Sequence, residues 1–391
     1  MQAETTPHEV KKAKGDRVTF IGVGRLGLAT ALVWESKGLH ILAVDVQQSY
    51  VDQLNAKTFC SHEPGVSELL RQSTNFRATT SLEEGAAFAD LLFVMVDTPT
   101  GVGKKSYDHR NLGSVLMALN KLRLKNKHVV IGCTVLPGYI ATTGRFLLKD
   151  CKHTTLNYNP EFVAQGNIVA GLLHPDMVLI GAESKEAGDL LEGIYKRVCE
   201  RTSSGGPAIG RMSPESAEIA KLATNCFITM KIAFANAIGD IADRTEGANK
   251  NDILSLVGKD SRIGSKCMMP GYGFGGPCFP RDNRALGNYA ESIGVAPILA
   301  TATDAANKLH AELMAEDLLE EDRDLYVFED VAYKPQCPVP IIEESQKLEV
   351  ARLVRQRGKK VLIRDREVII NEVMKEYGTT FLYEIIPAAE Q

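Results

Sequence analysis

Arg17-Val18-Thr19-Phe20-Ile21-Gly22-Val23-Gly24-Arg25-Leu26-Gly27 decides the fold of this 391-residue chain. Residues 17–21 read as a buried strand, and the glycines follow in the spacing G-x-G-x-x-G. Residues 28–37 continue as a helical run that stops at Gly38. Gly22 permits the tight turn, Gly24 lets the backbone approach a pyrophosphate, and Gly27 lets helix pack closely on strand. The phosphates would rest on free N–H groups at the helix N-terminus. A second strand, His40–Val44, ends in Asp45, eighteen residues past Gly27. A carboxylate there suits the ribose hydroxyls of NAD and repels the extra phosphate of NADP. The expectation is an NAD-binding Rossmann-like domain at 17–208, opening an α/β chain behind a polar tail at 1–16.

Alternating apolar strands and helical stretches continue the pattern and predict a parallel sheet. Strands at 91–96, 128–132 and 154–158 end in three polar clusters. These are Asp97-Thr98-Pro99-Thr100, Cys133-Thr134-Val135-Leu136-Pro137-Gly138 and Asn159-Pro160-Glu161-Phe162. Each alone reads more readily as a turn. Together, at equivalent strand ends, they outline a pocket rim, because ligands of open α/β sheets sit there. A strand at 177–181 and a helix at 185–198 follow, and 203–207 reads as a boundary.

The other informative stretch is Gly271-Tyr272-Gly273-Phe274-Gly275-Gly276-Pro277-Cys278-Phe279-Pro280-Arg281-Asp282. Its four glycines and two prolines predict a shaped loop rather than a helix. A cation lowers a thiol's pKa and a carboxylate can accept a proton, so Cys278 with Arg281 and Asp282 reads as a nucleophile in a ligand cradle. The plain alternative is a buried free thiol in a tight turn. Upstream, Ser213-Pro214-Glu215 starts a helix that runs over 216–238 and can extend to 246. Such length suits a spine shared between domains or subunits. Lys221 and Asn225 share one face of it. The lysine either snorkels from a half-buried face or donates to an oxygen that becomes negative, and the residues alone do not choose. A helix at 300–319 leads to an acidic run. Strands at 325–333, 360–363 and 379–385, with helices at 345–357 and 368–376, form half of a further α/β unit. The expected division is a central helical dimerisation and catalytic domain at 209–307, then an α/β domain at 308–391.

Composition bounds the rest. Hydrophobic content of 44% and a net charge of −4 describe an ordinary globular chain and argue against a nucleic-acid binder. No apolar run is read as a membrane span, and no signal-peptide core opens the chain. Eight scattered cysteines without a CxxC pair point to thiols of a reducing compartment, hence the cytoplasm. The histidines form no ligand pattern, so no metal is expected.

These motifs, in order along nearly the whole chain, resemble the UDP-glucose 6-dehydrogenases of the UDP-glucose/GDP-mannose dehydrogenase family. Glu63-Pro64-Gly65, Ser261-Arg262-Ile263-Gly264 and Tyr333-Lys334-Pro335 add to the likeness, and the cysteine loop is its most specific part. The resemblance implies NAD-dependent oxidation of the C6 hydroxyl of UDP-glucose to the uronic acid through a Cys278 thiohemiacetal and thioester. It implies that Lys221 and Asn225 stabilise oxyanions, that Asp282 handles protons, and that Glu161 and Thr134 orient water and the lysine. Gly22, Gly24, Arg25, Leu26, Gly27, Asp45, Thr98, Pro99 and Thr134 would hold NAD. The UDP-sugar would meet Glu161, Phe162, Lys221, Asn225, Tyr272, Gly273, Gly275, Phe279 and Lys334, with Arg262 reaching a neighbour's site in a homodimer.

Several positions depart from the family. Gln165 stands where an acid is usual, Arg25 where an aromatic is usual, and Pro277 and Arg281 where Ser and Lys are commoner. Pro340-Ile341-Ile342-Glu343-Glu344-Ser345 replaces an Asp-rich stretch. The chain also stops soon after Asp365, so the third, UDP-binding domain is expected to be shortened. Competing readings are a one-step β-hydroxyacid-type dehydrogenase, which would not need Cys278, and a non-enzymatic nucleotide binder. UDP-N-acetylhexosamines and GDP-mannose are the alternative substrates.

Overall fold

Strand β1 (Arg17–Ile21) is followed within four residues by helix α1 (Arg25–Ser36), the tight connection that the glycine spacing requires. The computed structural model describes residues 16–101, 106–200 and 205–387. Residues 1–15 of the tail expected at 1–16 and residues 203–204 of the expected boundary lie outside them. The described residues form two compact units, one from those within 16–98 and 109–218, the other from those within 99–108 and 219–387.

The first unit continues with β2 (His40–Val44), α2 (Gln48–Ala56), α3 (Val66–Gln72), β3 (Phe76–Thr79), α4 (Leu82–Phe88) and β4 (Leu91–Val94). Then come α5 (Arg110–Lys121), β5 (His128–Ile131), α6 (Arg145–Leu147), β6 (Thr155–Tyr158), α7 (Ile168–Leu173), β7 (Met177–Gly181), α8 (Lys185–Val198) and β8 (Ala208–Met212). The sheet order is β3-β2-β1-β4-β5-β6-β7-β8, whose first six strands have the doubly wound Rossmann arrangement. Parallel pairing sets Val18 opposite both Ile41 and Leu91, so β1 is central and buried. The expectation of a wholly parallel sheet is corrected at β7, which meets β6 antiparallel through Tyr158 and Gly181. A strand buried on both faces is apolar throughout and carries no mark of its direction. Strand β8 escapes the sequence reading because Gly210 and Arg211 interrupt its apolar pattern, and residue 208 is its first residue.

Helix α1 is buried along almost its whole length, since the sheet lies on one side and α3 and α7 on the other. At its end Trp34 stacks edge-on to Phe20, Phe93 and Tyr195, with centroids 5.3, 5.3 and 5.7 Å away. Truncating such a ring costs about 3–5 kcal/mol. The cluster therefore pins α8, which carries Tyr195, against the central strands.

The second unit is built on α9 (Pro214–Asp243), α10 (Lys250–Val257), α11 (Phe279–Ser292) and α12 (Ile298–Glu320). It ends in β9 (Leu325–Glu329), α13 (Gln346–Gln356), β10 (Lys360–Asp365), α14 (Glu367–Tyr377) and β11 (Leu382–Ile385). The three strands form a parallel sheet ordered β11-β10-β9. Helix α12 runs unbroken through residues 307 and 308, where the sequence reading divides middle from tail. Strand β9 stops at Glu329 because Asp330 turns the chain with a φ of 50°. Contrary to the expectation that no run is long enough, α9 has the length and composition of a membrane span, with mean hydropathy 1.2 over its best window. Only Lys231 is charged between Leu222 and Gly239. Outside that interval the helix carries Glu215, Glu218, Lys221, Asp240 and Asp243, of which Glu218 and Lys221 are buried.

Candidate active site

Cys278 is the N-cap residue of α11, and Phe279, Pro280, Arg281 and Asp282 make its first turn. This corrects the expectation of a loop to residue 282. Proline suits a first turn because the N–H it lacks has no intrahelical partner there. The cradle proper is 271–277, and its backbone is held from several sides. Gly271 N–H donates to Asn236 Oδ1 at 2.9 Å, and Phe274 N–H to Asn307 Oδ1 at 2.9 Å. Asn307 Nδ2 donates back to the Phe274 carbonyl at 2.9 Å. Gly276 N–H donates to the Glu343 carbonyl at 3.0 Å, tying the cradle to the 340–345 segment. Arg284 of α11 fastens the same segment with paired bonds of 2.7 and 2.8 Å to Glu344, and also donates to Asp304. Two glycines are obligatory here. A Cβ on Gly275 would lie 2.2 Å from the Glu344 carbonyl oxygen, and one on Gly276, at φ +84°, would lie 2.3 Å from the Tyr333 ring.

Four predicted catalytic residues belong to this unit. Lys221, Asn225 and Asp282 are 6, 7 and 1% exposed, so Lys221 is an interior lysine and the snorkelling alternative falls away. Asn225 Nδ2 donates to Asp282 Oδ2 at 2.7 Å. One amide hydrogen is thus spent on the carboxylate, a tie that spacing could not reveal. The other carboxylate oxygen accepts from Tyr107 Oη at 2.8 Å. The Arg281 guanidinium stands 5.0 Å above the Tyr107 ring, its Nε 3.5 Å from Asp282.

Cys278 is reachable by solvent. Protein nevertheless crowds the sulfur, and this loss of hydration pushes the thiol pKa up, with the Asp282 charge adding to it. Arg281 and Lys221 pull the other way without overcoming desolvation. The expected lowering by a neighbouring cation is therefore corrected: the cations act, and burial outweighs them.

Within the first unit, the glycine loop has the shape of a dinucleotide cradle. Gly22 has φ +84°, and a Cβ on Gly27 would lie 2.4 Å from the Gly22 carbonyl oxygen. Gly24 caps α1 with no side chain, and nothing lies within 4 Å of where its Cβ would be. Asp45 Oδ2 accepts from Val23 N–H at 3.3 Å, which joins the carboxylate to the loop. Open backbone donors beside a carboxylate fit a pyrophosphate and ribose, so the residues present suit NAD. Thr98 Oγ1 donates to the Thr134 carbonyl at 2.9 Å, linking two predicted cofactor residues, and Pro99 is exposed. Arg25 donates to Gln165 Oε1, so two of the departures contact each other.

Glu161 accepts from Tyr195 Oη at 2.9 Å, and the same hydroxyl lies 2.7 Å from Asn159 Oδ1. Burial and the Glu161 charge hold that phenol far above its ordinary pKa, so it stays a donor. Glu63 accepts from the N–H groups of Gly166 and Ile168, both at 2.8 Å, a structural role for the Glu63-Pro64-Gly65 motif. Glu218 accepts from Gly138 and Ile140 N–H at 2.6 and 2.9 Å, holding the loop that carries Thr134. Burial raises the Glu218 pKa to about 7, against the pull of those bonds. Tyr107, Tyr195 and Glu218 are missed by sequence reasoning. Tyr107 sits in no motif, and a lone buried glutamate on an apolar helix was the only local sign of Glu218.

Of the remaining predicted residues, Tyr272 and Gly273 belong to the cradle and Phe279 directly follows Cys278. Arg262 has an 87% exposed side chain and is tied to Asp260 at 2.7 Å. Phe162 is half-buried, Gly273 packs on Asn307, and Phe279 opens α11. Lys334 lies 5.7 Å over the Tyr333 ring. Tyr272, with Lys347 5.5 Å over its ring, lines a cavity of about 460 Å³ together with Arg323, Arg364 and Glu329. Among the described residues no group of His, Cys, Asp and Glu could hold a metal ion.

Residues 16–199 match the NAD binding domain of the UDP-glucose/GDP-mannose dehydrogenase family, and residues 215–309 match its central domain. The chain is 30% identical over 289 residues to the UDP-glucose 6-dehydrogenase YwqF of Bacillus subtilis, spanning 71% of this chain and 62% of that protein. It is 28% identical over 369 residues to the GDP-mannose 6-dehydrogenase of Pseudomonas aeruginosa, spanning 90% of this chain and 81% of that one. The structure of a UDP-glucose dehydrogenase from Pyrobaculum islandicum superposes with a TM-score of 0.85 at 28% identity, covering 99% of this chain and 89% of the other. With both domain matches in chain order and a fold shared along the chain, this protein belongs to the UDP-glucose/GDP-mannose dehydrogenase family.

Proposed function

We propose that the chain oxidises the C6 hydroxyl of UDP-glucose to a carboxylate in two steps, with Cys278 as covalent nucleophile. The observation that carries this reading is the grouping in one unit of Cys278 at a helix N-terminus, two cations acting on its thiol, and an Asp282 carboxylate fixed by Asn225 and Tyr107. Gly22, Gly24, Arg25, Leu26, Gly27, Asp45, Thr98, Pro99 and Thr134 would hold NAD⁺, one molecule for each of the two oxidations, which would supply the hydride acceptor. Cys278 Sγ adds to the C6 aldehyde while Lys221, with the second amide hydrogen of Asn225, steadies the oxyanion. After the second oxidation Asp282 takes a proton from the water that opens the thioester, and the thiolate leaves. Glu161 and Thr134 keep the orienting roles that the resemblance implies. The cavity beside Tyr272, with three cations and an aromatic face, suits a nucleoside diphosphate.

A homodimer is part of the proposal. Ile219, Phe227, Phe234 and Ile241 are 45–62% exposed and recur at eight, seven and seven residues along α9. That spacing makes an apolar stripe suited to the same helix of a second copy. Arg262, exposed and paired with Asp260, is assigned to the neighbouring site. All eight cysteines are free, which supports the reducing cytoplasm as the location.

The test is the yield of NADH per nucleotide sugar, with UDP-N-acetylglucosamine and GDP-mannose beside UDP-glucose. Two NADH per UDP-glucose, lost in Cys278→Ala, is the expected result. Oxidation of GDP-mannose alone would transfer the mechanism to the substrate named for the Pseudomonas relative. No NADH from any of the three would overturn the reading.

A further inference from the structure

His310 of α12 presents both ring nitrogens to acceptors. Nδ1 lies 2.9 Å from each carboxylate oxygen of Asp240 on α9, and Nε2 lies 2.7 Å from the carbonyl of Gly271. Gly271 is the first residue of the Cys278 cradle, and its N–H is bound by Asn236, one turn from Asp240 on α9. Asn307, one turn from His310 on α12, holds both backbone groups of Phe274. Two helices thus grip the start of the cradle, and His310 is the joint between them. It is 8% exposed, so water competes poorly for either contact.

We infer that His310 is a positioning residue for Cys278, clamping the cradle to α9 through Asp240. A neutral imidazole carries one N–H and can donate to Asp240 or to Gly271; only the doubly protonated ring donates to both. The clamp is therefore complete with two ring protons and loses one bond with the second. Other charged groups line a cavity of about 260 Å³ with His310: Asp243 and Lys250, paired with each other, Asp317 on α12, and Glu321 just past its end. Asp317 is itself paired with Arg244. Nothing in the proposed chemistry uses His310 or Asp240. The inference rests on the nucleophile reading only for its catalytic consequence, and its contacts stand without it.

Amide hydrogen exchange on the full chain tests the clamp, with β10 as internal reference and intrinsic exchange divided out. His310→Ala should exchange on the order of tenfold faster across 271–278 at every pH, leaving β10 unchanged. His310→Gln keeps a side-chain donor in that place, so it should retain part of the protection that His310→Ala loses. Alkylation of Cys278 by iodoacetamide should change in His310→Ala and recover towards wild type in His310→Gln. Unchanged protection of 271–278 in His310→Ala, or an equal loss in β10, would overturn the inference. These readouts need no substrate, so they decide the clamp even if no nucleotide sugar is oxidised.

Discussion

Tyr107 and Asp282 stand 175 residues apart in the chain and 2.8 Å apart in the fold, the phenol donating to a carboxylate that is 1% exposed. With Asn225 on the second oxygen, both faces of the charge are satisfied and the group cannot rotate. A carboxylate so held can accept a proton from one direction only, which a general base needs.

Tyr107→Phe keeps the ring beneath Arg281 and removes only the hydroxyl. A bond to a charged group is worth about 1.5–3 kcal/mol, so turnover should fall tenfold or more with KM little changed. Steady-state NADH formation checks this, and an unchanged kcat would show that Asp282 needs no such tie.

The Cys278 thiol is raised by desolvation and by Asp282, and lowered by Arg281 and Lys221. Asp282→Asn should therefore bring its pKa down and speed alkylation at a given pH. Lys221→Met should raise it and slow the reaction. Alkylation rate against pH reads both shifts, and movement in the same direction would contradict the assigned causes.

Glu218 holds its proton to about pH 7 when folded, against an ordinary value of 4.5. Between those values the folded chain binds a proton that the unfolded chain has released. Stability from this group therefore falls as pH rises through the window and levels off above it. Glu218→Gln should flatten that part of the curve of Tm against pH. It should also lower Tm overall, because one of two backbone donors loses its acceptor.

Two glycine substitutions should separate folding from binding. Gly276→Ala forces a Cβ against Tyr333 at a positive φ, and overpacking of this kind costs about 1–3 kcal/mol in urea unfolding. Gly24→Ala meets no protein atom, so the unfolding midpoint should hold while NAD affinity drops. Equal destabilisation by both would mean that Gly24 serves the fold instead of a ligand.

Sequence and structure agree most closely where the signal is local. Strands His40–Val44 and Met177–Gly181 and helix Lys185–Val198 begin and end where apolar periodicity places them. Gly22 turns the chain at a positive φ and Gly27 packs against the Gly22 carbonyl, as their spacing predicts. The misreadings have a common origin. Strand β7 runs antiparallel, α11 begins at Phe279, and β9 ends at Glu329, and each outcome depends on a neighbour distant in sequence or on one residue's φ.

By itself the sequence determined the Rossmann-like start, the acid at the end of β2, the long helix with Lys221 and Asn225, and the glycine cradle around Cys278. Those are properties of short segments: backbone freedom at glycine, a missing N–H at proline, the period of a helix. Only the tertiary structure decided that Tyr107 holds Asp282, that His310 joins two helices to Gly271, and that burial outweighs the cations near Cys278. Hydrogen bonds between remote residues and the loss of water around a thiol arise when segments are packed together, so no segment carries them alone.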